Sequence, residues 1–217
     1  MNFPASCAFL FSAVLLIGCL PEKAAPSAVQ EWNLLDDALH SSWQKAGIPE
    51  EGNMQLTGQV LTLPAGLPMT GCKFPAWQSL GLPETDYAIE YEAMRAEGED
   101  IFGMCTFPVS SHSSHATFVI GGWGGGLTGI SSIDFKDASE NSTRAEQKFA
   151  NGVWHHVRIE VRPEDIRAWV NRRPVVNVSI KGRQVGLRPG YIDHCLPFGF
   201  ATWNTQGRIR GVKVSRL

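Results

Sequence analysis

The stretch from Gly152 to Ile180 reads GVWHHVRIEVRPEDIRAWVNRRPVVNVSI, and it decides the fold class. It holds three short segments rich in β-branched and aromatic residues, at 154–161, 166–170 and 175–180. Residues between the second and third segments read Asn-Arg-Arg-Pro (171–174), which are types that favour turns. The pattern predicts consecutive antiparallel strands, with a hairpin turn at 171–174.

The same pattern continues outward along the chain. The segment 87–94 alternates, so that Tyr87, Ile89, Tyr91 and Ala93 share one face of a predicted strand. Further strands are predicted at 55–63 (as a hairpin around Gly58), 101–109, 116–120, 198–203 and 209–214. Many short strands at turn spacing predict an all-β fold, a sandwich of two antiparallel sheets. One short helix is predicted over 32–44, where Leu35, Leu39 and Trp43 recur at four-residue spacing.

The composition excludes two broad classes of protein. The 217 residues include 19 Lys and Arg and 21 Asp and Glu, which gives a formal charge of −2. A nucleic-acid partner is not predicted, because proteins that bind nucleic acids usually carry a strong basic excess. The 43% of hydrophobic residues can bury a core, which argues against disorder.

The N-terminal segment has the pattern of an export signal. Residues 1–18 contain no Lys, Arg, Asp or Glu, and the apolar run 8–20 is too short for a comfortable transmembrane helix. The run ends at Leu16-Ile17-Gly18-Cys19, which resembles the lipobox of bacterial lipoproteins. The resemblance implies a signal peptide over 1–18, cleavage after Gly18 and acylation of Cys19. An ordinary cleaved signal and an uncleaved anchor are the alternatives.

Residues after Cys19 are dominated by Pro, Ala and Ser, which predicts a tether over 19–33 and a folded domain over 34–217. The expected location is the cell envelope, with the lipid anchor in the membrane. Leu20 after the cysteine favours the outer membrane, facing the periplasm. Export also permits one disulfide among Cys72, Cys105 and Cys195, and the sequence leaves all three pairings open.

Five segments, taken in order, resemble the 3-keto-disaccharide hydrolase-like family of exported bacterial domains. They read LLDDAL (34–39), LTGQVL (56–61), DYAIEYE (86–92), GVWHHVRI (152–159) with IRAWVN (166–171), and PFGFA (197–201) with GVKV (211–214). The resemblance implies a concanavalin A-like, LamG-type jelly roll. It also implies a glycoside hydrolase that acts on 3-keto-glycosides or related sugars.

The middle of the chain departs from that family's pattern. Many members carry a G-x-E-x-Q strand, whereas residues 129–134 read GISSID and lack the Glu and the Gln. The chain has instead GGWGGG at 121–126 and a polar loop at 137–144. This pairing resembles a subgroup of jelly-roll accessory domains.

A candidate ligand-binding surface follows from these two segments. Five glycines in six residues require either positive φ or the close approach of another group, and Trp123 among them can offer a flat face to a sugar ring. The alternative is that Trp123 packs over the edge of the sandwich. Polar side chains that can hydrogen-bond sugar hydroxyls, and Trp203 at the predicted end of a strand, complete the candidate set, which is Trp123, Asp134, Asp137, Glu140, Asn141, Arg144 and Trp203.

The polar loop has two other interpretations. Its oxygens suit Ca²⁺, although the spacing does not match an EF-hand, and no other cofactor is predicted. It is otherwise a solvated loop whose Asp and Asn residues shape turns. His112 and His115 have H-x-x-H spacing but lack the further ligands that a metal site needs, so no metal site is predicted.

Glu90 and Glu92 are the candidate catalytic residues, because they share one face of a predicted strand and paired carboxylates cleave glycosides. The alternative is a polar solvent-facing surface. The leading hypothesis is therefore a lipid-anchored, lectin-like sandwich that binds a carbohydrate or a glycan-bearing partner. A glycoside hydrolase and a structural envelope interaction module are the other two hypotheses.

Overall fold

The computed structural model describes Met1, residues 30–110 and residues 114–217. Residues 2–18 of the predicted signal peptide, the lipidation site Cys19, residues 20–29 of the predicted tether, and His112 lie outside the described residues. Within the part that is described, no helix has the length and apolar character needed to cross a bilayer.

The described chain is built from fifteen strands. They are β1 (Glu31–Asn33), β2 (Gln44–Lys45), β3 (Gln55–Thr57), β4 (Val60–Leu63), β5 (Met69–Lys73), β6 (Tyr87–Glu97), β7 (Met104–Val109), β8 (Ser114–Gly121), β9 (Leu127–Ser131), β10 (Ala145–Glu146), β11 (Trp154–Val161), β12 (Asp165–Val170), β13 (Arg173–Ser179), β14 (Gly199–Trp203) and β15 (Gln206–Arg216). Short 3-10 helices lie at Asp37–Ser42, Pro75–Trp77 and Tyr191–Cys195. A single turn at Gly122–Gly125 has left-handed residues inside it and is not a regular helix.

The strands form two sheets, in which neighbouring strands are antiparallel. Sheet 1 has the order β13-β12-β11-β6-β15-β4-β3, with β1 also paired to β15. Sheet 2 has the order β10-β9-β8-β7-β14-β5-β2. This two-sheet arrangement confirms the predicted all-β, jelly-roll sandwich.

The stretch from Gly152 to Ile180 forms three adjacent strands of sheet 1, as its sequence predicts. β12 and β13 are joined by a tight turn in which Asn171 and Arg172 have positive φ values of 50° and 67°. This is the conformation that a two-residue hairpin turn requires, and Asn tolerates it better than most residues. The Asn171 side chain also accepts a hydrogen bond from the backbone N–H of His156 at 2.9 Å, which ties the turn to β11.

The core lies between the sheets and follows the alternation of β6. Tyr87, Ile89, Tyr91 and Ala93 are all buried against sheet 2, and the Tyr91 ring lies 5.0 Å from the ring of Phe200 on β14. The two buried tyrosine hydroxyls have partners, because Tyr87 donates to the Pro108 carbonyl at 2.7 Å and Tyr91 donates to the Gly103 carbonyl at 3.0 Å. Buried polar groups are tolerated when they are hydrogen-bonded in this way.

The helix predicted over 32–44 is wrong. Its first residues form β1, which pairs with β15, and only Asp37–Ser42 takes a short 3-10 conformation. Leu34 and Trp43 are both buried, and the Trp43 indole donates to the Leu34 carbonyl at 2.8 Å. Tertiary burial therefore overrides the four-residue spacing. The sandwich also begins at Glu31, so it includes the last three residues of the predicted tether.

Cys72, Cys105 and Cys195 are free and buried, so none of the three pairings left open by the sequence forms. Cys72 and Cys105 both lie opposite Phe200, on the two strands that flank β14. Burial raises the pKa of all three thiols, and it raises the pKa of Cys195 to about 12. Thiols held in the protonated state are poor nucleophiles, so these cysteines are packing residues.

Candidate functional site

A cleft lies on the face of sheet 2 that points away from the core. In β8, Phe118 and Ile120 pack into the core, so the alternating Thr117 and Val119 point to the opposite face. Side chains from other strands of sheet 2 continue this floor, and they are Met69 on β5, Met104 on β7 and Ser131 on β9. Residues 188–192 form the opposite wall and enclose a cavity of about 240 Å³, which we call the inner compartment.

Two tryptophans stand at the mouth of this cavity. Trp123 is 45% exposed and Trp203 is 38% exposed, whereas the floor residue Val119 is 2% exposed. Trp203 ends β14, where it lies opposite Met69 of β5 in the sheet register. Exposed tryptophans at the rim of a concave site offer large flat surfaces to a ligand.

A second, more open cavity of about 240 Å³ adjoins the first, and we call it the outer compartment. It is lined by Asp100, Ile101, Trp123, Arg188 and Trp203. The last four of these residues also line the inner compartment. The two compartments therefore form one continuous cleft, with the tryptophans and Arg188 at their junction.

The sequence suggests two roles for the glycines around Trp123, which are positive φ and the close approach of another group. The first of these holds. Gly121, Gly124 and Gly125 have φ values of 72°, 82° and 104°, and Trp123 itself has a φ of 50°. Bulky residues seldom take left-handed conformations. The flanking glycines adopt such conformations readily because they lack a Cβ atom, so the backbone strain of this segment is confined to Trp123.

The second predicted role, close approach of other groups, also holds. A Cβ atom on Gly121 would lie 2.6 Å from the buried ring of Phe102. A Cβ atom on Gly125 would lie 2.5 Å from the Glu99 carbonyl oxygen and 2.9 Å from the Arg95 guanidinium. Larger residues at these two positions would push the loop away from the body of the domain.

Hydrogen bonds fix the loop at both ends. The Gly124 N–H donates to the Asp100 carboxylate at 3.2 Å, and the Gly126 N–H donates to the Gly122 carbonyl at 3.2 Å. The Gly126 carbonyl accepts from the Gln147 N–H at 2.9 Å. Trp123 is thus presented on a backbone that is held from two sides.

Arg188 connects the polar and aromatic parts of the cleft. Its guanidinium lies 2.6 Å from the Asp137 carboxylate, and its central carbon lies 5.9 Å from the centre of the Trp123 ring. Asp137 also accepts hydrogen bonds from the Ser131 hydroxyl at 2.7 Å and the Ala138 N–H at 2.8 Å. The Arg188 side chain is still 63% exposed, so part of its guanidinium faces solvent.

Of the ligand-binding residues predicted from sequence, the structure brings Trp123, Asp137 and Trp203 together in this cleft. Asp134 lies outside it and forms a salt bridge with Arg183 at 2.8 Å. Hydrogen bonds from the Arg183 side chain and the Gln184 backbone lower the pKa of Asp134. This carboxylate is therefore engaged in joining two loops.

The other three predicted residues also line neither compartment. Asn141 is buried, and its amide nitrogen donates to the Ile130 carbonyl at 2.8 Å, which holds the polar loop together. Glu140 is exposed, and Arg144 forms a salt bridge with Glu146 at 2.5 Å. Asn141 thus has the turn-shaping contacts of the alternative interpretation.

The candidate catalytic pair lies on the other sheet. Glu90 and Glu92 are on β6 of sheet 1 and point away from the core. Glu90 forms a salt bridge with Arg158 and lies 3.5 Å from the His156 ring nitrogen, and Glu92 forms a salt bridge with Arg210 at 2.7 Å. Both carboxylates are part of a charged surface on the side of the sandwich opposite the cleft.

Over residues 30–110 and 114–217, the structure gathers no three His, Cys, Asp or Glu side chains in a way that could hold a metal ion. His115 lies on β8, is partly buried, and has a pKa that burial lowers. His115 lines neither compartment of the cleft.

Sequence reasoning missed Arg188, Asp100 and the two floor methionines. The segment 186–190 reads Gly-Leu-Arg-Pro-Gly, and a cation between turn residues is a signal that could have drawn attention to Arg188. Met69 and Met104 carry no such signal. They resemble core residues in sequence, and only the topology places them on the outward face of sheet 2.

A scan against protein-family models gives no match, and a search of curated proteins finds no similar sequence. Solved structures with the same fold are found. They include the carbohydrate-binding module CBM66 from Bacillus subtilis, with a TM-score of 0.53, 11% identity, and coverage of 79% of this chain and 94% of that chain.

Two further structures have a similar level of likeness. The apo Crh5 transglycosylase has a TM-score of 0.55 and 8% identity, over 88% of this chain and 84% of that chain. A native glycosidic hydrolase has a TM-score of 0.51 and 10% identity, over 86% of this chain and 94% of that chain. At these identities the likeness shows the fold, which is a jelly-roll β-sandwich of the kind found in carbohydrate-binding and glycoside-processing proteins.

Proposed function

We propose that this protein is a carbohydrate-binding jelly-roll domain that holds a glycan in the cleft of sheet 2. The observation that carries the proposal is the pairing of exposed Trp123 and Trp203 around a cleft whose rim also presents Arg188 and Asp100. Sugar sites combine flat apolar surfaces with a few well-placed polar groups, and this rim provides both. The fold that the chain shares with CBM66 is consistent with this role.

The polar groups suit an uncharged ligand. Arg188 and Asp137 neutralise each other, and the Asp100 carboxylate already accepts from the Ile101 and Gly124 N–H groups. The formal charge of the whole chain is only −2. A ligand without strong charge would be held by ring stacking and by hydrogen bonds to the exposed part of the guanidinium. We favour binding over glycoside cleavage because Glu90 and Glu92, the candidate acid and base, lie on sheet 1.

A glycan-array screen of the purified protein, followed by calorimetric titration of the best hit, tests this proposal. Arg188→Gln is expected to lower the affinity about tenfold or more, since a hydrogen bond to a charged group contributes about 1.5–3 kcal/mol. Arg183→Gln is the matched control, because it removes a similar arginine–aspartate pair that lies outside the cleft. Equal affinities for the two variants would place the binding site elsewhere, and an array without any hit would count against glycan binding.

We also propose that the domain is lipid-anchored in the cell envelope through Cys19. The support is the lipobox-like tetrapeptide 16–19 and the Pro-, Ala- and Ser-rich segment that follows it. Several acyl chains give stable anchoring, because each buried CH₂ contributes about 0.8 kcal/mol. Mass spectrometry of the mature N-terminal peptide tests the proposal, and an unmodified Cys19 would contradict it.

A further inference from the structure

We infer that the inner compartment accepts an uncharged apolar group, so that the ligand of the cleft is a glycoside with an apolar aglycone, such as an aryl or short alkyl group. The sugar part of this inference rests on the proposed function. The apolar part rests on the inner compartment alone.

The floor of the inner compartment is unsuited to sugar hydroxyls. The apolar side chains of Met69, Met104, Val119, Ile101 and Ile192 line it and offer no strong hydrogen-bond donor or acceptor. The hydroxyls of the two polar floor residues already have partners, Thr117 with the Thr106 hydroxyl and Ser131 with the Asp137 carboxylate. A sugar ring placed there would lose hydrogen bonds to water without gaining replacements, which is costly. An apolar group would instead gain by leaving water, and methionine side chains adapt readily to its shape.

The charges of the inner compartment point to an uncharged occupant. Among the described residues that line it, Asp137 and Arg188 are the charged ones, and they form an ion pair at 2.6 Å. The second Asp137 oxygen is occupied by the Ser131 hydroxyl and the Ala138 N–H. Only the solvent-facing part of the Arg188 guanidinium is left to meet an ionic group, so a charge placed over the methionine floor would have to leave water without compensation.

The size of the compartment sets the size of the group. An apolar cavity of about 150 Å³ holds one benzene ring. The inner compartment, at about 240 Å³, has room for a substituted phenyl ring or a short alkyl chain. It is too small to enclose a long acyl chain.

The two compartments adjoin but differ in polarity, so together they suit a ligand that has a sugar at one end and an apolar group at the other. The outer compartment contributes Asp100, which is absent from the inner one, and both share Trp123, Arg188 and Trp203. A sugar at the junction would contact the tryptophans and Arg188, and its aglycone would continue over the methionine floor. A free oligosaccharide would fill only the polar half of this cleft.

Methionine methyl groups provide a direct probe of the inner compartment. In the full-length protein with ¹³C-methyl methionine, titration with benzyl alcohol is expected to shift the resonances of Met69 and Met104. Met94 lies on sheet 1 and Met54 packs against the main core, so their resonances should not move. Shifts of all four resonances, or of none, would overturn the apolar site. Sodium benzoate is the charged counterpart, and binding as strong as that of benzyl alcohol would overturn the requirement for an uncharged group.

Filling the compartment should abolish the response. Val119→Phe adds volume to the floor, and Ile192→Phe adds volume to the opposite wall, so that a folding defect in one variant leaves the other as a test. Either folded variant is expected to weaken benzyl alcohol binding at least tenfold. Unchanged binding in a folded variant would place the probe outside the inner compartment.

Matched glycosides separate this inference from the proposed function. For the monosaccharide of the best array hit, the phenyl and hexyl glycosides are expected to bind at least tenfold more tightly than the methyl glycoside. Equal affinities for all three would overturn the inference and leave glycan binding intact. Selective Met69 and Met104 shifts with benzyl alcohol, together with a glycan array that gives no hit, would support the apolar site and overturn the glycan-binding proposal.

Discussion

Replacing Trp123 with alanine is expected to lower the affinity for the glycan about 30-fold or more, since truncation of a central tryptophan in a binding site costs about 2 kcal/mol or more. Trp123 lines both compartments, so its loss removes a stacking surface at their junction. It also removes the ring over which the Arg188 guanidinium lies. Calorimetric titration with the best glycan from the array measures the effect.

Phe135→Ala is the matched control for this substitution. Phe135 is an aromatic residue with a positive φ of 62°, is 88% exposed, and lines neither compartment. Its replacement should leave the affinity unchanged, and both variants should keep the wild-type thermal midpoint within a few degrees. Wild-type affinity in the Trp123→Ala protein would remove this residue from the site.

Gly125→Ala is expected to destabilise the fold by roughly 2 kcal/mol or more and to reduce glycan binding with it. The new methyl group would overlap the Glu99 carbonyl, and the φ of 104° lies outside the range that alanine adopts readily. The loop can relieve this overlap only by moving, which displaces Trp123. Urea denaturation and glycan titration of the same variant measure the two effects.

Gly124→Ala distinguishes the two effects of replacing a glycine in this loop, which are the steric overlap of the new Cβ atom and the backbone strain of a positive φ. Gly124 has a φ of 82°, but a Cβ atom there would meet no atom within 4 Å. This variant should therefore lose only about 1 kcal/mol of stability, as alanine does in a left-handed conformation, and should keep most of its affinity. If Gly124→Ala and Gly125→Ala behaved alike, the close contact at Gly125 would not control the position of Trp123.

The strands could be predicted from the sequence because a strand that is buried on one face alternates apolar and polar residues with a period of two. The alternation in 87–94 predicts which face of β6 enters the core, and Tyr87 and Tyr91 are buried as it implies. The error at 32–44 has a physical origin. Leu34 and Trp43 are buried by contacts with distant parts of the chain, which a local four-residue spacing cannot distinguish from a helix.

The cleft is less predictable, because its residues come from distant segments of the chain. Trp123 and Trp203 could be predicted as candidates, since one lies among glycines and the other at the end of a predicted strand. Asp137 and Asn141 are chemically similar residues in one loop, yet one lines the cleft and the other holds the loop together. Only the direction of each side chain separates them, and that direction depends on the packing of the loop against β9.

The loop from Gly121 to Gly126 has a consequence for the cost of binding. Its backbone is fixed by the Asp100 carboxylate, by Gln147 and by the close approach to Glu99 before any ligand arrives. Binding then has to order side chains alone, at about 0.5–1.5 kcal/mol for each immobilised side chain, without the larger entropy loss of closing a mobile loop. A small number of contacts around Trp123 can therefore give a measurable affinity, and the site is selective for ligands whose shape already matches it.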